Sequence, residues 1–482
     1  MALCTIAELR DVIGANALVG DATSLAKQRV RCINLDSRAI RRGDVFLALE
    51  GERFDGHDFV AKALSQGAVG AIVRDSFDPA TLSVPRGQRQ KAPCILAVPD
   101  TLVAYQQLAA YHRSRFDIPL VAITGSNGKT TTKEMVASVL AQQRNILKTE
   151  GNLNNRLGVP QTLFRLSKRH TGAVIEMGVD NLGQTTRLCE IAKPTIGVIT
   201  NIGPDHLEFF GSIEGSAQAK AELLEMLPRD GAVVLNADDA YYAYLAGRAR
   251  CRVVSFGFSP SADVRASHVQ SDGRNGTTFR LQLPGKARGT NVRIRVQGNH
   301  NVVNALAAGA VGSLLHLPGT LIAKGLSRFK PAAMRSQVSM SHGVKIIVDC
   351  YNANPASMKA AVQLLAQAGP ARKRVAVLGD MLELGSGAVP MHEEVGAFVA
   401  EQKIDQLVAC GPLGRSLARG AMQAGLARSA VIEVPDAAAA ASAVKTLVKP
   451  GDVVLVKASR GMKLELVVDA LQKSGRAIKK AS

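Results

Sequence analysis

The stretch VAITGSNGKTTTKEM (Val121–Met135) predicts a short apolar strand, a glycine turn and a helix that begins near Lys129. Glycines let the backbone approach a phosphate closely and adopt positive φ angles. The helix start would present unpaired N–H groups and the positive end of its dipole to an anion. The usual phosphate loop has four residues between its first glycine and the Gly-Lys-Ser/Thr, whereas only two separate Gly125 from Gly128. We therefore predict a shortened phosphate loop rather than an ordinary strand-to-helix turn.

The side chains of this loop match the groups of a nucleotide and its metal ion. Lys129 can reach the β- and γ-phosphate oxygens, and the Thr130 hydroxyl can bind Mg²⁺. Glu176, at the end of a predicted strand, can supply a second metal ligand, although such a residue alone is more often solvated or paired. The predicted nucleotide-binding residues of the loop are Gly125, Ser126, Asn127, Gly128, Lys129, Thr130 and Thr131.

The length and composition of the chain favour a folded protein of several domains. A chain of 482 residues exceeds one ordinary core, so we expect two or three domains. The sequence contains no apolar run long enough to span a bilayer, and its first residues lack a signal-peptide pattern. We therefore expect a cytoplasmic protein with no stable membrane insertion. Seven scattered cysteines without a Cys-x-x-Cys motif argue against a disulfide framework and a zinc knuckle.

The basic charge of the chain allows two classes of partner. Lys and Arg number 59 against 40 Asp and Glu, which gives a formal net charge of +19. Such a charge can bind nucleic-acid phosphates or polyanionic small substrates. The densest basic patches are Arg38–Arg42 and the tail GRAIKK (475–480), and with 4% aromatics and no tryptophan few stacking surfaces exist for single strands. We predict a small anionic substrate and no nucleic acid, with a nucleic-acid-associated NTPase as the alternative.

Strand and helix patterns divide the chain into three regions. The first, residues 1–115, holds short apolar strands such as CILAV (94–98) and closes on a helical stretch. In the second, residues 116–329, buried-type strands alternate with helices and then give way to a β-rich part. This alternation is typical of a parallel sheet that binds ligands at the carboxyl ends of its strands. The third, residues 330–482, has four more strand-then-helix units. We predict an α/β fold of three domains, with a central P-loop-type, mostly parallel sheet and a C-terminal Rossmann-like domain.

Two further groups of polar residues lie in the second region. His206 follows a predicted strand and Lys220 lies in a helical run; taken alone, they are more often a hydrogen-bonded loop histidine and a solvated helix lysine. In GNHNVVNALAA (298–308), Asn301 and Asn304 share one helix face because they are three residues apart. Two such amides can hold a base, a ribose or a phosphate, or can belong to a capped packing helix.

Taken together, these motifs resemble the Mur ligase superfamily, the ATP-dependent amide ligases of peptidoglycan synthesis. The matching motifs are GSNGKT, the strand-end Glu176, DHLE, AKAE, NADD and GNHNVVNALAA. The shortened phosphate loop is typical of this superfamily. Other stretches resemble its MurF branch, which joins D-alanyl-D-alanine to UDP-N-acetylmuramoyl-tripeptide. These stretches, which with the motifs cover nearly the whole chain, are DSRAIRRGDVFLALEGERFDGHDF (36–59), EGNLNNRLGVPQTL (150–163), VIEMG, DCYNANPASM (349–358) and GDMLELG (379–385).

The resemblance implies a reaction in which ATP activates a carboxylate. The terminal carboxylate of the tripeptide would attack the γ-phosphate, giving an acyl phosphate and ADP. The amine of D-alanyl-D-alanine would then attack the carbonyl carbon, and phosphate would leave. ATP and Mg²⁺ are the implied cofactors, and we expect a monomer. The implied catalytic residues are Lys129, Lys220 and His206, and the implied metal ligands are Thr130, Glu176, His206 and Lys220, the last as a carbamate formed with CO₂.

The resemblance also implies nucleotide and substrate contacts from the other regions. Met334 stands before Arg335, where the family commonly has a glycine. The UDP end would bind in the first region at Ser37 and Arg38. The further ATP contacts would be Asn301, Asn304, Arg335 and Asp349. The remaining substrate contacts would be Asn152, Asn154, Asn155, Asn352, Asn354 and Ser357.

A second branch of the superfamily, which adds the third residue of the peptide, is the runner-up. Its members commonly carry an Asp-Asn-Pro-Arg motif in the last domain, whereas YNANP and GDMLELG occupy that region here. The sequence leaves open whether the accepted tripeptide ends in meso-diaminopimelate or lysine.

Overall fold

A computed structural model describes residues 3–19, 26–51, 54–82, 94–271 and 276–473. Two sequence features lie outside the described residues: the basic tail at 475–480 and residues 52–53 of the MurF-like stretch 36–59. The chain folds into two compact units. The N-terminal unit comprises Met1–Ile118, Thr149–Thr171 and Arg187–Lys193, and the larger unit comprises Pro119–Lys148, Gly172–Thr186 and Pro194–Ser482.

The N-terminal unit is built on a small sheet whose apolar strands form its core. Its strands are β1 (Cys4–Thr5), β2 (Asn16–Val19), β3 (Arg29–Val30), β4 (Ile33–Asn34), β5 (Val45–Leu47), β6 (Gly70–Arg74) and β7 (Cys94–Val98). The helices among them are α1 (Ile6–Ile13), α2 (Val60–Ser65) and α3 (Thr101–Ser114). In the part that the structure describes, the main sheet runs β2-β7-β6-β5-β4, and only β2 is antiparallel to its neighbour. β1 pairs with β3 separately.

Residues 119–329 contain the largest sheet in the part of the chain that the structure describes. Its strands are β8 (Leu120–Thr124), β9 (Ile146–Lys148), β10 (Gly172–Glu176), β11 (Ile196–Ile199), β12 (Ala232–Asn236), β13 (Arg252–Gly257), β14 (Val264–Ser271), β15 (Thr277–Gln282) and β16 (Thr290–Ile294). The helices are α4 (Lys129–Leu140), α5 (Gly158–Leu163), α6 (Gln184–Ala192), α7 (Leu207–Phe210), α8 (Ile213–Met226), α9 (Tyr242–Arg248), α10 (Asn299–Leu314) and α11 (Gly319–Arg328).

The strand order of this sheet brings the glycine loop after β8 and Glu176 at the end of β10 to the same edge. Over the described residues the order is β16-β15-β14-β13-β12-β11-β8-β10-β9, parallel from β14 to β9 and antiparallel across β14-β15-β16. β8 therefore lies between β11 and β10, and the carboxyl ends of these three parallel strands meet beside the glycine loop. Helices α4 and α10 cover one face, and their apolar side chains join the buried core of the sheet.

Residues 330–473 form a second α/β sheet. Its strands are β17 (Gln337–Ser341), β18 (Val344–Val348), β19 (Arg374–Gly379), β20 (Gln406–Cys410), β21 (Val431–Val434) and β22 (Val453–Lys457), and its helices are α12 (Pro355–Ala366), α13 (Ala388–Glu401), α14 (Gly414–Gln423), α15 (Ala437–Leu447) and α16 (Glu465–Lys473). Where the structure describes it, the sheet runs β17-β18-β22-β19-β20-β21, and β17 alone is antiparallel to its neighbour.

The predicted α/β class, the mostly parallel central sheet and the Rossmann-like last sheet are confirmed. The three-domain boundaries stay a prediction, and the compact units add a detail to them: Thr149–Thr171 belongs to the N-terminal unit. There the Tyr105 and Phe164 rings lie 5.2 Å apart, and Gln106 Nε2 donates to the Arg156 carbonyl oxygen at 3.2 Å. Among the described residues, no helix combines the length and apolar character needed to cross a membrane.

Candidate active site

The predicted phosphate loop joins the buried strand β8 to helix α4, and its geometry requires both glycines. Gly125 has a φ of +136° and Gly128 a φ of +80°, conformations that residues with a Cβ atom rarely adopt. A Cβ atom on Gly125 would lie 2.0 Å from Thr200 Oγ1, and one on Gly128 would lie 2.5 Å from Asn304 Oδ1. The loop thus leads directly into the N–H groups at the start of α4, which is the arrangement that binds phosphate.

Lys129, the first residue of α4, folds back over the loop. Its ammonium group donates to the Gly125 carbonyl oxygen at 2.6 Å and to the Ser126 carbonyl oxygen at 3.4 Å. Burial lowers the pKa of Lys129, and the carboxylates of Asp205 and Glu176 oppose that shift. The ammonium group therefore lies within the loop, as contact with a phosphate held by the same loop requires.

Thr130 and Glu176, two of the predicted metal ligands, are in contact. Thr130 Oγ1 donates to Glu176 Oε1 at 3.1 Å, and Glu176 is buried at the end of β10. Lys133, one turn further along α4, is also buried, with its Nζ atom 3.7 Å from Glu176 Oε2. A hydroxyl and a carboxylate are the hard oxygen ligands that Mg²⁺ prefers. The two residues therefore fit a magnesium ion.

Lys220 lies in a buried cluster around Asp205, so it is not the solvated helix lysine of the alternative reading. Asp205 Oδ1 accepts hydrogen bonds from Ser126 Oγ at 2.7 Å, Ser216 Oγ at 2.8 Å and Lys220 Nζ at 3.1 Å. Lys220 also donates to Ser216 Oγ at 2.6 Å and lies 4.8 Å from the centre of the Phe210 ring. Burial lowers the pKa of Lys220 to about 8, although the Asp205 carboxylate acts in the opposite direction.

His206 contacts the last sheet region. Its Nδ1 atom lies 2.5 Å from Glu383 Oε2, and the Glu208 N–H donates to the Glu383 carbonyl oxygen at 3.2 Å. In the described parts of the chain, no group of three or more His, Cys, Asp or Glu side chains is arranged to hold a metal ion. The predicted set contains only two residues of those types, Glu176 and His206, and is completed by Thr130 and Lys220. The four predicted ligands therefore have separate partners: Thr130 and Glu176 contact each other, His206 contacts Glu383, and Lys220 contacts Asp205.

The two asparagines on one face of α10 make different contacts. Asn304 Oδ1 accepts a hydrogen bond from Thr132 Oγ1 at 3.2 Å, directly beside Gly128 of the loop. Asn301 Nδ2 donates to the Gln297 carbonyl oxygen at 2.7 Å, one turn before it. Asn304 therefore supports the phosphate loop, and Asn301 holds the backbone immediately before α10.

Arg335 and Asp349 both have partners near the predicted nucleotide site. Arg335 Nη2 donates to Thr130 Oγ1 at 3.4 Å, and its guanidinium group lies 4.2 Å from the centre of the Tyr351 ring. Asp349 Oδ2 accepts from the buried Lys457 Nζ at 2.6 Å. Arg335 thus reaches the helix start that carries the phosphate loop, while Asp349 forms an ion pair within the last sheet.

Met334 takes an unusual backbone conformation immediately before Arg335. Its φ is +58°, in the left-handed region that favours glycine. The resemblance to the Mur ligase superfamily implies a glycine at this position, and the left-handed backbone conformation gives a physical reason for it. The Met334 side chain packs against the core of the last sheet and its sulfur lies 3.3 Å from Arg460 Nη1, so side-chain contacts accompany the backbone strain.

Three predicted substrate residues lie at the start of α12. Asn354 Oδ1 accepts from the Ser357 N–H at 2.9 Å, and Ser357 Oγ accepts from the Asn354 N–H at 3.0 Å, which forms a capping box. Asn352 Oδ1 accepts from the Ala353 N–H at 2.9 Å. Asn354 Nδ2 also donates to Asn127 Oδ1 at 2.9 Å. Asn354 therefore connects this helix start to the phosphate loop.

In the N-terminal unit, Ser37 and Arg38 form a 3₁₀ turn, Ser37–Ala39, that Asp36 caps. Asp36 Oδ1 accepts from the Arg38 N–H at 2.9 Å, and Arg38 Nη2 donates to Asp36 Oδ2 at 2.9 Å. The Arg38 side chain is 79% exposed, and hydrogen bonds from Arg38 lower the pKa of Asp36 to about 2. The turn therefore presents an arginine that is both paired and accessible.

The three asparagines before α5 also belong to the N-terminal unit. Asn155 Oδ1 accepts from the Leu157 N–H at 3.1 Å and from the Gly158 N–H at 2.9 Å, at the start of α5. The Asn154 N–H donates to the Asn152 carbonyl oxygen at 2.8 Å. Asn155 therefore orders the turn, and Asn152 is exposed on it.

Three charged or titratable residues near the site were missed from the sequence: Lys133, Asp205 and His300. Burial lowers the pKa of His300, with Asp349 and Lys457 as its charged neighbours. A signal existed for two of them. Lys133 follows Thr130 by three residues, so both lie on one face of a helix, and Asp205 adjoins His206.

Comparisons with known proteins identify the family of the chain. Three family models match the chain: the Mur ligase family catalytic domain at residues 29–112, the Mur ligase middle domain at 123–312 and the Mur ligase glutamate ligase domain at 334–460. The UDP-N-acetylmuramoyl-tripeptide–D-alanyl-D-alanine ligase of Bacillus subtilis is 38% identical over 440 residues, which cover 91% of this chain and 92% of that protein.

Solved structures give the same result. MurF from Acinetobacter baumannii superposes with a TM-score of 0.87 and 32% identity, over 98% of this chain and 99% of that one. MurF from Thermotoga maritima in complex with ADP superposes with a TM-score of 0.81 and 28% identity, over 93% and 99% respectively. The chain therefore belongs to the Mur ligase family and is similar to MurF ligases over nearly its whole length.

Proposed function

We propose that the chain is an ATP- and Mg²⁺-dependent amide ligase that joins D-alanyl-D-alanine to UDP-N-acetylmuramoyl-tripeptide. The observation that carries the proposal is the phosphate loop, with Lys129 folded over it and Thr130 in contact with Glu176. The Bacillus subtilis relative is named for this reaction, and the Thermotoga maritima relative holds ADP.

The first task of the site would be to hold the nucleotide. Lys129 and the N–H groups of the loop would bind the β- and γ-phosphates, and Thr130 and Glu176 would hold Mg²⁺. The metal would neutralise charge on the phosphate oxygens. The further nucleotide contacts would come from Asn301, Asn304, Arg335 and Asp349. Most of the rate gain would come from positioning and charge neutralisation.

The substrates would then be joined in two steps. The tripeptide carboxylate attacks the γ-phosphorus, and the bond to the β-phosphate oxygen breaks, which gives an acyl phosphate and ADP. The free amine of D-alanyl-D-alanine attacks the acyl carbon, loses a proton and expels phosphate. In this scheme, the tripeptide's UDP end binds at Ser37 and Arg38. The sugar and peptide of that substrate are bordered by Asn152, Asn154 and Asn155. The D-alanyl-D-alanine dipeptide lies near Asn352, Asn354 and Ser357.

Lys220 and His206 would serve a second metal position. A carbamate on Lys220 forms when the neutral amine bonds to CO₂ and releases a proton, and it converts the cation into an anionic oxygen ligand. The buried position of Lys220 supports this chemistry because burial favours the neutral amine. In such a site His206 would exchange its contact with Glu383 for the metal. The cytoplasmic location and the monomeric state stay predictions of the sequence.

The test is phosphate release with each substrate omitted in turn. We expect release only when UDP-N-acetylmuramoyl-tripeptide, D-alanyl-D-alanine, ATP and Mg²⁺ are all present. Replacing the dipeptide by meso-diaminopimelate or lysine, and the tripeptide by the corresponding dipeptide substrate, tests the runner-up branch. Release without an amine, or release that only DNA or RNA stimulates, would contradict the proposal.

A further inference from the structure

Lys133 is a buried cation for which the proposed reaction has assigned no task. Its side chain is 2% exposed, and its Nζ atom lies between two carboxylates, 3.1 Å from Glu134 Oε1 and 3.7 Å from Glu176 Oε2. Burying a charge is costly unless it is paired. The position of Lys133 therefore needs an explanation in terms of the carboxylates around it.

The two oxygens of Glu176 have different partners from the same helix face. Oε1 accepts from Thr130 Oγ1 at 3.1 Å, whereas Oε2 faces Lys133 Nζ. Glu176 ends β10, and its register partner Ile123 lies on β8, two residues before the phosphate loop. Thr130 therefore bonds one oxygen of this carboxylate and Lys133 faces the other, at the edge where the metal would bind.

The second carboxylate gives Lys133 an alternative partner. Glu134 lies closer to Lys133 than Glu176 does, and Glu134 also pairs with Lys148 on β9. Lys148 is 40% exposed, so this outer pair reaches solvent. The four side chains form a row of alternating charge: Glu176, Lys133, Glu134 and Lys148. An ammonium group at this point can remain paired with Glu134 when another cation takes Glu176.

We propose that Lys133 is a placeholder cation: it neutralises and orients Glu176 while the metal position is empty, and it yields Glu176 to Mg²⁺ when the metal binds. The inference rests on the proposed function, because it takes Thr130 and Glu176 as the metal ligands. It makes Lys133 a positioning residue whose partners include the carboxylates of Glu134 and Glu176. A purely structural Lys133 would stabilise α4 on the sheet equally with and without metal, which separates the two roles experimentally.

The experiment measures the midpoint of thermal unfolding of the full chain without nucleotide, in 10 mM MgCl₂ and in NaCl of equal ionic strength. Lys133→Met keeps the length of the side chain and removes its charge. Because one partner of a buried pair is lost, we expect the midpoint to fall by about 4–8 °C in NaCl. Mg²⁺ should restore at least half of that loss, since a cation that binds only the folded state stabilises it. The wild type should shift by less than about 1 °C.

Three further variants make the result specific. Lys133→Arg keeps the charge and should behave like the wild type. Lys148→Met is the matched control, because it removes the outer cation from the same row; it should give a smaller loss that Mg²⁺ does not restore. The double variant Lys133→Met/Glu176→Gln removes both buried charges, so it should regain stability without Mg²⁺ and lose the response to Mg²⁺.

Two outcomes would overturn the inference: a loss in Lys133→Met that is equal in both salts, or an Mg²⁺ response that persists in the double variant. A separate measurement tests the proposed function: the ADP affinity of the wild-type protein with and without Mg²⁺. If Mg²⁺ does not change that affinity, the metal assignment itself is wrong. If it does and Lys133→Met shows no rescue, only the placeholder role is wrong.

Discussion

The edge of the central sheet at the phosphate loop and the Ser37–Ala39 turn of the N-terminal unit both carry an ion pair, in opposite environments. The side chains of Lys133 and Glu176 are 2% and 3% exposed, whereas those of Arg38 and Asp36 are 79% and 45% exposed. Removing one partner of a buried pair costs about 3–5 kcal/mol because the other charge is left unpaired. Water screens an exposed pair, which contributes little to stability.

This difference in burial predicts how substitutions will affect stability and ligand binding in the two regions. At the phosphate loop the same residues hold the structure and face the proposed ligand, so most substitutions there should change both properties. At the exposed turn a substitution should change ligand binding without changing stability, because the ion pair contributes little to the stability of the fold. The predictions below measure activity, ligand affinity or stability, and each outcome can contradict or refine this comparison.

The largest effect is expected for Lys129→Ala. Removing a preorganised charge from the phosphates should lower kcat by about 10²–10³-fold, measured as phosphate release with both substrates. Lys324→Ala, an exposed lysine on α11, is the control and should retain full activity. A loss below about tenfold for Lys129→Ala would mean that this loop is not the phosphate site.

A second, intermediate effect is expected for Gly128→Ala, which has a matched control. Gly128 and Gly183 have φ angles of +80° and +81°, but a Cβ atom meets Asn304 Oδ1 only at Gly128 and meets nothing within 4 Å at Gly183. Gly183→Ala should cost about 1 kcal/mol from backbone strain alone. Gly128→Ala should cost about 1–3 kcal/mol more, because Asn304 must move.

The measurement is the free energy of unfolding in urea, together with ADP affinity. Only Gly128→Ala should weaken ADP binding, since Asn304 and Thr132 support the loop. Equal losses of stability for the two variants would show that crowding against Asn304 does not contribute to the cost of Gly128→Ala. The phosphate loop would then not be held by the packing around it, which would contradict the contrast with the exposed turn.

The smallest effect on stability is expected for Arg38→Ala. The midpoint of thermal unfolding should not change, because the Arg38–Asp36 pair is exposed. KM for UDP-N-acetylmuramoyl-tripeptide should rise severalfold with little change in kcat, as expected when ground-state binding is lost. Arg10→Ala, which removes another exposed pair of the same unit with Asp11, should leave KM unchanged. A fall in stability with an unchanged KM would reverse the contrast between the two regions.

Much of the fold could be predicted from apolar runs, and the exceptions have physical reasons. The runs at β7, β8 and β10 are buried on both faces and were recognised as strands. β17 was missed because its sequence, QVSMS, is polar and half-exposed at the edge of a sheet. The grouping of Thr149–Thr171 with the N-terminal unit could not be predicted, since the order of the chain does not show which neighbour a connecting segment packs against.

The contacts of the candidate site also fall into those that the sequence predicts and those that only the structure shows. The contact between Thr130 and Glu176 follows from a strand–loop–helix motif and the end of an adjacent parallel strand, and the sequence contained both. The contact between His206 and Glu383 spans two sheets and could not be inferred from either motif. From the sequence, Asn354 was predicted only as a substrate contact, whereas its cap of α12 and its contact with Asn127 appear only in the structure.

The sequence by itself determined the phosphate loop, its glycines and the lysine and threonine that follow, because backbone conformation and helix starts depend on near neighbours in the chain. It also determined the family, through motifs distributed along the whole length. Only the tertiary structure decided the partners of the buried charges: Asp205 for Lys220, Glu176 for Lys133 and Lys457 for Asp349. Those partners lie on different elements, and strand order and helix packing bring them to the same place, which is information that no single stretch of the sequence contains.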